Sequence, residues 1–453
     1  MNESSRGVRV EADSKIGTPT VWGMSGYQWA VLFAAWLGWG FDIFDGLLFN
    51  FVAPNCVPTL LGLTIGSPEA RAATLRWTGA YSSLLLVGWA AGGILFGRLA
   101  DRIGRTRTLT LTMLLYAGGT ALCAFAPNLW VLGLFRLIAA LGIGGEWAAG
   151  AAMVAEVVPE KRRLEAGALL YTSAPVGLAL ATYVNSLVAG RLFAGQPELS
   201  WRIVFLAGLV PAAVALGVRR FVREPERWLA STGNAQRARF AELFSPENRR
   251  RTVSGFLMAL VALLTWWSCN VFIPVVASGL AQGAATSRGL GRDAMLALAE
   301  AWKSRAVTWF NWGGLLGTLL TVPAAKLLGR RSMFGIYFLL SSAALFCTFG
   351  LDLAPETRLL MYFWIGLTVF GVFGSFTYYL PELFPTRLRA TGAGFCYNAG
   401  RILAAFGPFW VGTVAARGAT STMSALFAVG FVPLAGLLLL PFVVETRGKE
   451  LED

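Results

Sequence analysis

Histidine is absent from this chain of 453 residues, and charged residues make up only 14% of it. Average soluble domains carry roughly 25% charged residues, so a chain of this composition lacks the polar surface that keeps a protein dispersed in water. Without histidine there is no imidazole to ligate a metal or to carry a proton. The five cysteines are scattered without a CxxC pair, which indicates neither a disulfide framework nor a metal site.

Signatures of enzymes and of exported proteins are missing as well. The sequence contains no nucleophile–base pair, no cluster of metal-binding residues and no nucleotide-binding loop, so we expect neither an enzyme nor a bound cofactor. The polar residues 1–24 have no apolar stretch followed by a small-residue cleavage site, so they are not expected to be a signal peptide.

Long apolar runs are what the sequence does contain, since 56% of the residues are hydrophobic. About 20 apolar residues in a helix span the hydrocarbon core of a membrane, and twelve segments meet this length. They begin near Tyr27, Trp77, Thr108, Trp130, Leu164, Trp201, Val253, Arg305, Met333, Leu359, Ala390 and Ser421. The predicted fold class is therefore an all-α membrane protein with twelve transmembrane helices in two halves.

Lys and Arg are concentrated in the links on one side of the predicted membrane, the side that also holds both termini. The positive-inside rule places that side in the cytoplasm, so the net charge of +13 indicates topology and no nucleic-acid partner. The predicted units are a tail 1–24, a six-helix half 25–222, a linker 223–250, a second six-helix half 251–444 and a tail 445–453. The outer link 278–304 ends in a short amphipathic surface helix and is either a solvated connector or a lid.

Two short patterns occur twice at nearly the same separation. "EVVPEKRR" (156–163) and "ELFPTRLR" (382–389) share E-x-x-P-x-x-x-R, while "GRLADRIGRTR" (97–107) and "VPAAKLLGRRS" (322–332) share Gly-Arg. Each pair occupies the same place in its half of the chain. Two parallel halves with a substrate site between them are typical of a large class of transporters.

The chain resembles a major facilitator superfamily transporter over essentially all of its length. The segment 97–107 carries the G-x-x-x-D-R-x-G-R pattern of that superfamily, and "REPERWL" (223–229) and "VETRGKELE" (444–452) resemble segments of sugar porters, with Val444 where those have proline. "GGEWAAGAAMVAE" (144–156) and the D-x-x-D of helix one are closer to proton symporters of organic acids, the sialate/lactate and aromatic-acid groups.

By this resemblance, the loop after the second helix gates the cytoplasmic side. Gly97 allows close helix packing, and Asp101 docks against the positive N-terminal end of helix eleven and against nearby arginines. Arg102 and Arg105, on either side of Gly104, either take part in this gate or only anchor the loop at the membrane surface.

Two charged pairs are implied at the inner ends of helices four and ten. Glu156 with Arg163, and Glu382 with Arg389, either belong to a charge cluster that opens and closes or form plain surface ion pairs, which contribute about 0–1 kcal/mol. The second copy of the loop motif has Lys326 where the first has its aspartate. The two gates are therefore not expected to be equally strong.

Five ionisable residues remain well inside predicted spans: Asp42, Asp45, Arg136, Glu146 and Arg401. A charge at the bilayer centre costs about 2.5–3.5 kcal/mol on the insertion scale, and such residues mark substrate or proton pathways. Asp42 lies about 22 Å from the inner end of helix one, and Arg136 lies about 9 Å from the outer end of helix four. Their depths therefore match, and Asp42 and Asp45 share a helix face.

One arginine balances one carboxylate, so a second carboxylate beside it favours its protonated form. The aspartate pair is therefore predicted to be a proton-coupling site, in line with the D-x-x-D of the organic-acid symporters that the chain resembles. The alternative is a permanent Asp42–Arg136 pair, with Asp45 capping a helix break near Gly46. Glu146, nearer the inner side, is either a second proton acceptor or an ion-pair partner.

Arg401 lies about 18 Å from the inner end of helix eleven, close to mid-membrane, and Asn398 lies one turn before it. The planar guanidinium of arginine suits a carboxylate, so Arg401 and Arg136 are predicted to bind an anion, with a structural pair as the alternative for Arg401. Aromatic residues of helices seven and ten that either contact substrate or only pack are Trp266, Trp267, Tyr378 and Tyr379.

The predicted function is proton-driven symport of a small organic acid by alternating access. The protein is expected to be a monomer in the plasma membrane, with an anionic substrate, protons and lipid as its partners. A neutral cargo such as a sugar or polyol is an alternative, favoured by the segments that resemble sugar porters. A membrane sensor on a transporter scaffold is an alternative of another class.

Overall fold

The structure of the chain is a computed structural model. It describes residues 23–159, 162–210, 213–214, 217, 240–385 and 388–448. Within these ranges, the side chains of residues 98, 101, 102, 105, 146–153, 155, 156, 163–165, 168, 390 and 419 are outside the description. The regular secondary structure of the described ranges is helical, as the apolar runs predicted.

The described residues of the first half form six helical passes. The first four are single helices: α1 (Gly26–Leu61), α2 (Pro68–Ile103), α3 (Arg105–Cys123) and α4 (Leu129–Val157). The fifth combines α5 (Arg163–Tyr171), α6 (Ser173–Leu187) and a π-helical turn (Val188–Leu192), and the sixth begins with α7 (Pro197–Ala207). The predicted linker 223–250 lies largely outside the described residues, and its described end carries a 3₁₀ turn (Phe240–Phe244).

The second half repeats this arrangement with more irregular turns. Its seventh pass joins α8 (Arg249–Asn270) to α9 (Ile273–Ser287), and the next two are α10 (Arg292–Leu328) and α11 (Arg330–Gly350). The tenth runs from α12 (Pro355–Ile365) through a π turn (Gly366–Phe370) and a 3₁₀ turn (Gly371–Ser375) to α13 (Phe376–Glu382). The last two are α14 (Arg389–Ala404) with α15 (Phe406–Ala415), and α16 (Ala419–Val429) with α17 (Phe431–Leu438).

Seven of these helical segments are long and apolar enough to cross a membrane by length and composition alone. Local signals fix where the first ones begin. Ser25 and Gln28 form a reciprocal capping box at the start of α1, and Ser67 accepts the Ala70 N–H just before Pro68 at the start of α2. Capping satisfies N–H groups that have no partner inside the helix.

The internal repeat is present in the backbone. A Cβ on Gly92 in α2 would collide with the backbone of α4, and a Cβ on Gly317 in α10 would collide with the backbone of the tenth pass. Gly104 and Gly329, the glycines of the repeated Gly-Arg, have φ of 110° and 85°, which residues with a side chain rarely adopt. Equivalent glycines therefore shape both halves.

Successive passes run in opposite directions, so the protein has two faces. The turns at Gly104 and Gly329 lie at the end that also holds residues 23 and 448, which is called the terminal face. The turns at 62–67 and 288–291 lie at the opposite end, called the far face.

The prediction of a long outer link at 278–304 is wrong. Residues up to Ser287 belong to α9, and α10 begins at Arg292 and continues without a break to Leu328, so the connection is only 288–291. The amphipathic pattern predicts a surface helix because it carries charges. Two of those charges, Glu300 and Lys303, are buried and face into the protein, whereas Arg292 and Asp293 are exposed.

Candidate functional site

Asp45 forms an ion pair that lies wholly inside the first half. Its carboxylate is 3.8 Å from Nη1 of Arg136 in α4, and its two oxygens accept from the Thr120 hydroxyl of α3 at 2.5 and 2.7 Å. Arg136 also donates to the carbonyl oxygens of Asp45 and Gly46, at 3.2 and 2.8 Å. Several polar partners make a buried ion pair tolerable in hydrocarbon.

Asp42, one turn earlier on α1, is fully buried and lies within electrostatic reach of Arg401 in α14. This differs from the predicted single cluster of both aspartates around Arg136, because an arginine of the second half also reaches the site. Residues three apart on a helix are rotated by about 60°, which is enough to turn one carboxylate towards α3 and α4 and the other towards the second half.

Arg401 is held between two aromatic rings, one from each half. Its guanidinium carbon lies 4.3 Å from the ring centre of Trp89 in α2 and 4.9 Å from that of Tyr397. Nη1 donates to Oδ1 of Asn398 at 3.0 Å. Nε has no hydrogen-bond partner among the described residues, although only 4% of Arg401 is exposed. Aromatic faces attract a guanidinium and leave its edges free to donate.

Further aromatic rings continue from Arg401 along the boundary between the halves. Trp267 contacts Trp89 edge-to-face with 6.0 Å between ring centres, and Trp266 packs on Trp267 at 4.7 Å. Tyr171 of the first half stacks on Phe373 of the second at 6.5 Å. The structure therefore brings two of the four predicted aromatic residues, Trp266 and Trp267, to the centre.

Tyr378 and Tyr379 pack near the terminal face instead. The Tyr378 hydroxyl donates to the Thr321 carbonyl oxygen and the Tyr379 hydroxyl to that of Val444, both at 3.2 Å. The π turn and the 3₁₀ turn of the tenth pass precede these residues. Irregular turns change the rotation of the following helix, so regular helical spacing did not predict where these two rings point.

Glu382 forms a bidentate ion pair at the terminal face. Nη2 and Nε of Arg330 donate to its two carboxylate oxygens at 2.7 and 3.0 Å, and the Thr446 hydroxyl donates to the same carboxylate at 2.6 Å. The predicted partner, Arg389, donates to the Pro381 carbonyl oxygen at 3.2 Å. Arg330 was not among the predicted site residues, although it follows the glycine of the repeated motif.

Glu445 ties the C-terminal segment to the start of α11. Its carboxylate accepts the backbone N–H groups of Arg330, Arg331 and Arg447 at 2.9 to 3.0 Å. Burial alone raises the pKa of Glu445, but these N–H donors and the nearby Arg330 charge outweigh it and hold the pKa below its ordinary value. Helix N-termini stabilise carboxylates in this way.

Several predicted side chains lie outside the described part of the structure. They are the gating residues Asp101, Arg102, Arg105, Glu156 and Arg163 and the candidate proton acceptor Glu146. Gly97 lies within α2, and Gly104 is the positive-φ link between α2 and α3. The assignment of all these residues to a gate or a proton path stays a prediction.

A second buried ion pair lies nearer the far face, on α10. Nζ of Lys303 is 2.6 Å from Oε1 of Glu300 and donates to the Phe51 carbonyl oxygen of α1 at 3.0 Å. Asn55 of α1 and Asn185 of α6 donate to the two Glu300 oxygens at 3.2 and 2.9 Å. The i, i+3 spacing of the two charges between apolar residues was the sequence signal that could have revealed this cluster.

The part of the chain that the structure describes forms twelve helical passes in two similar halves, with charged residues buried where the halves meet. This arrangement defines a polytopic membrane transporter. The family model of the Major Facilitator Superfamily matches residues 29–408, and the chain belongs to that family. The resemblance and the fold class expected from sequence are confirmed, and the members of this family are transporters and not enzymes.

Known relatives match nearly the whole chain. It is 30% identical over 440 residues to a protein of Cupriavidus pinatubonensis described as a probable 4-methylmuconolactone transporter, covering 94% of this chain and 92% of that one. It is 27% identical to a gentisate transporter of Corynebacterium glutamicum, covering 88% and 83%. The crystal structure of a D-xylose–proton symporter matches with a TM-score of 0.73 at 16% identity, covering 94% and 100%, which shows a common fold.

Proposed function

We propose that this transporter carries a small organic acid together with a proton, by alternating access across the plasma membrane. The names of two relatives, transporters of 4-methylmuconolactone and of gentisate, support a cargo of this chemical class. The excess of Lys and Arg on the terminal side supports a cytoplasmic location of both termini. The far face is then the outer face.

One observation carries the proposal: Arg401 offers a buried cationic edge at the boundary between the halves. Its faces are covered by Trp89 and Tyr397, and its Nε has no partner among the described residues. A guanidinium edge binds a carboxylate with strong, directional hydrogen bonds. Asn398, which already contacts Arg401, completes the polar side of the proposed substrate site.

Competition for Arg401 couples the proton to the cargo. Asp42 lies within electrostatic reach of Arg401, and a bound carboxylate substrate needs the same cation. Protonation of Asp42 removes the competing negative charge, so proton and anion bind together. Transport energy then comes from the proton gradient, and no other cofactor is needed.

Arg136 has a different role in this scheme from the predicted one. Its guanidinium is bound to Asp45 and to two α1 carbonyl oxygens, so we assign it to hold α1 and the second carboxylate in place. Asp45 remains a candidate proton acceptor next to Asp42, and so does Glu146.

Proton flux in proteoliposomes tests the proposal. Purified protein is given a panel of aromatic and aliphatic carboxylates, sugars and polyols, while internal pH and labelled substrate are followed together. Asp42→Asn and Asp45→Asn are compared with Asp352→Asn, which changes an exposed carboxylate of a far-face loop. We expect carboxylate-driven proton entry that Asp42→Asn abolishes and Asp352→Asn leaves unchanged.

Three outcomes would contradict the proposal. Accumulation by both Asp42→Asn and Asp45→Asn at the wild-type level would remove the coupling role of the pair. Competition by sugars but not by acids would indicate a neutral cargo. Absence of counterflow with every solute in the panel would favour a sensor that no longer transports.

A further inference from the structure

The Glu300–Lys303 pair is buried between helices, where a charge is costly and its presence needs an explanation. Only 7% of Glu300 and 0% of Lys303 is exposed, and both lie in the part of α10 nearer the far face. A charged pair costs free energy when it leaves water unless further polar partners surround it. Here the partners come from the opposite half: Asn55, Asn185 and the Phe51 carbonyl.

Three of the four polar contacts of this pair therefore cross the boundary between the halves. The fourth, from Lys303 to Glu300, is an i, i+3 contact within α10 and does not depend on the first half. If the halves separate at the far face, the three crossing contacts break, while the two charges remain paired and become hydrated. The two charges thus keep each other as partners in both conformations.

We propose that Glu300, Lys303, Asn55 and Asn185 form a latch that holds the far face closed. Charge-assisted hydrogen bonds are roughly twice as strong as neutral ones, and they stabilise only the state in which the halves meet. An interaction that exists in one of two states shifts the equilibrium towards that state. The inference rests on the transporter class of the chain and requires neither the proposed cargo nor the proton coupling.

The chain provides a matched control. Arg292 of the second half and Glu198 of the first also pair across the boundary at the far face, at 3.7 Å, but their side chains are 69% and 59% exposed. Exposed pairs of this kind contribute little because water and salt screen them. Burial, and not merely the crossing of the boundary, should distinguish the latch from this pair.

Accessibility of the boundary from the far face tests the latch. Ser278→Cys, a buried position of α9 beside α1 and α2, is introduced into a full-length background whose five cysteines are replaced by alanine and which still transports. A charged, membrane-impermeant maleimide then reports opening. We expect Asn55→Ala with Asn185→Ala, which leaves both charges paired, to raise the labelling rate about a hundredfold, the ratio for two lost charge-assisted hydrogen bonds.

Glu300→Gln should raise the labelling rate further, because it also leaves Lys303 buried without its counter-charge, and Glu198→Gln should not change it. The double asparagine variant decides the question even if Glu300→Gln fails to fold. A folded double variant that labels at the parental rate would overturn the proposal. So would a variant that only melts at a lower temperature, since a purely structural pair would behave in that way.

Discussion

Asp42 and Asp45 are one turn apart on the same helix, yet their surroundings differ in a way that matters for transport. Arg136 and Thr120, which contact Asp45, belong to the first half. Arg401, whose positive charge interacts with Asp42 electrostatically, belongs to the second. When two halves of such a transporter rock against each other as rigid bodies, contacts within a half persist and contacts between halves change.

This difference separates two roles within one short motif. A contact within a half stabilises the packing of α1 against α3 and α4 in every conformation. A contact between halves has a different free energy in each conformation, and only such a contact biases the transport equilibrium. Asp42 is therefore the stronger candidate for coupling, and Asp45 the stronger candidate for holding the helices together.

The largest effect is expected from Arg401→Lys. Lysine keeps the positive charge but loses the planar fork and the stacking between Trp89 and Tyr397. Loss of two charge-assisted hydrogen bonds to a carboxylate corresponds to about a hundredfold lower uptake of the acid. Initial uptake rates in proteoliposomes measure this, with the exposed Arg292→Lys as the control. Wild-type uptake by Arg401→Lys would remove Arg401 from the substrate site.

Substitutions of the two aspartates should have different effects in a second experiment, which measures coupling and stability on the same variants. Asp42→Asn should prevent uphill accumulation but leave substrate counterflow intact, because exchange needs no net proton transfer. Asp45→Asn should mainly lower the stability of the protein in detergent by about 3–5 kcal/mol, since Arg136 loses its buried counter-charge. Equal effects of the two substitutions on both measurements would contradict the division of roles.

Thr120→Val tests only the Asp45 contacts, which lie within the first half. It keeps the side-chain volume and removes the hydroxyl that donates to both Asp45 oxygens, so we expect a stability loss of about 1–3 kcal/mol and near-normal coupling. Thermal unfolding in detergent measures it. Thr413→Val is the control, because Thr413 is exposed on α15 and donates only to its own helix. A change in the proton-to-substrate ratio would show that the Asp45 site also takes part in coupling.

The fold was predictable because its signals are local. Apolar length predicted the passes, and the repeated Gly-Arg predicted the two halves, whose glycines have the same unusual backbone. Asp42, Asp45 and Arg401 stood out because a charge inside an apolar run is costly. The contact between Asn398 and Arg401 followed from helical spacing.

The pairing of the buried charges was not predictable in the same way. Which arginine lies near Asp42 depends on helix rotation and on how the halves dock. Neither of these can be predicted from a local sequence pattern. Glu300 and Lys303 were missed for a related reason. Charges spaced along an amphipathic segment look alike whether they face water or the amides of another half, and only the position of Asn55 and Asn185 distinguishes these cases.

The smallest effect is expected at Glu445, whose described contacts lie within the second half and which is partly exposed. Because its pKa is lowered in the folded protein, the carboxylate stabilises the docked C-terminal segment above the ordinary pKa of glutamate, about 4.3. This contribution is lost as the pH falls through the lowered value. Across neutral pH, docking should therefore not depend on pH.

Glu445→Gln should reproduce at neutral pH the weakened docking that the wild type shows only in acid. Glutamine accepts fewer hydrogen bonds than a carboxylate and carries no charge, so the amides of Arg330 and Arg331 should lose part of their protection. Hydrogen exchange, expressed as protection factors to remove the intrinsic pH dependence, measures this loss.

Maleimide labelling of the Ser278→Cys reporter should not change in Glu445→Gln, because the hydrogen bonds that this substitution weakens join residues of the same half. A changed labelling rate would mean that interactions within a half also bias the far-face equilibrium, and the distinction drawn from Asp42 and Asp45 would fail.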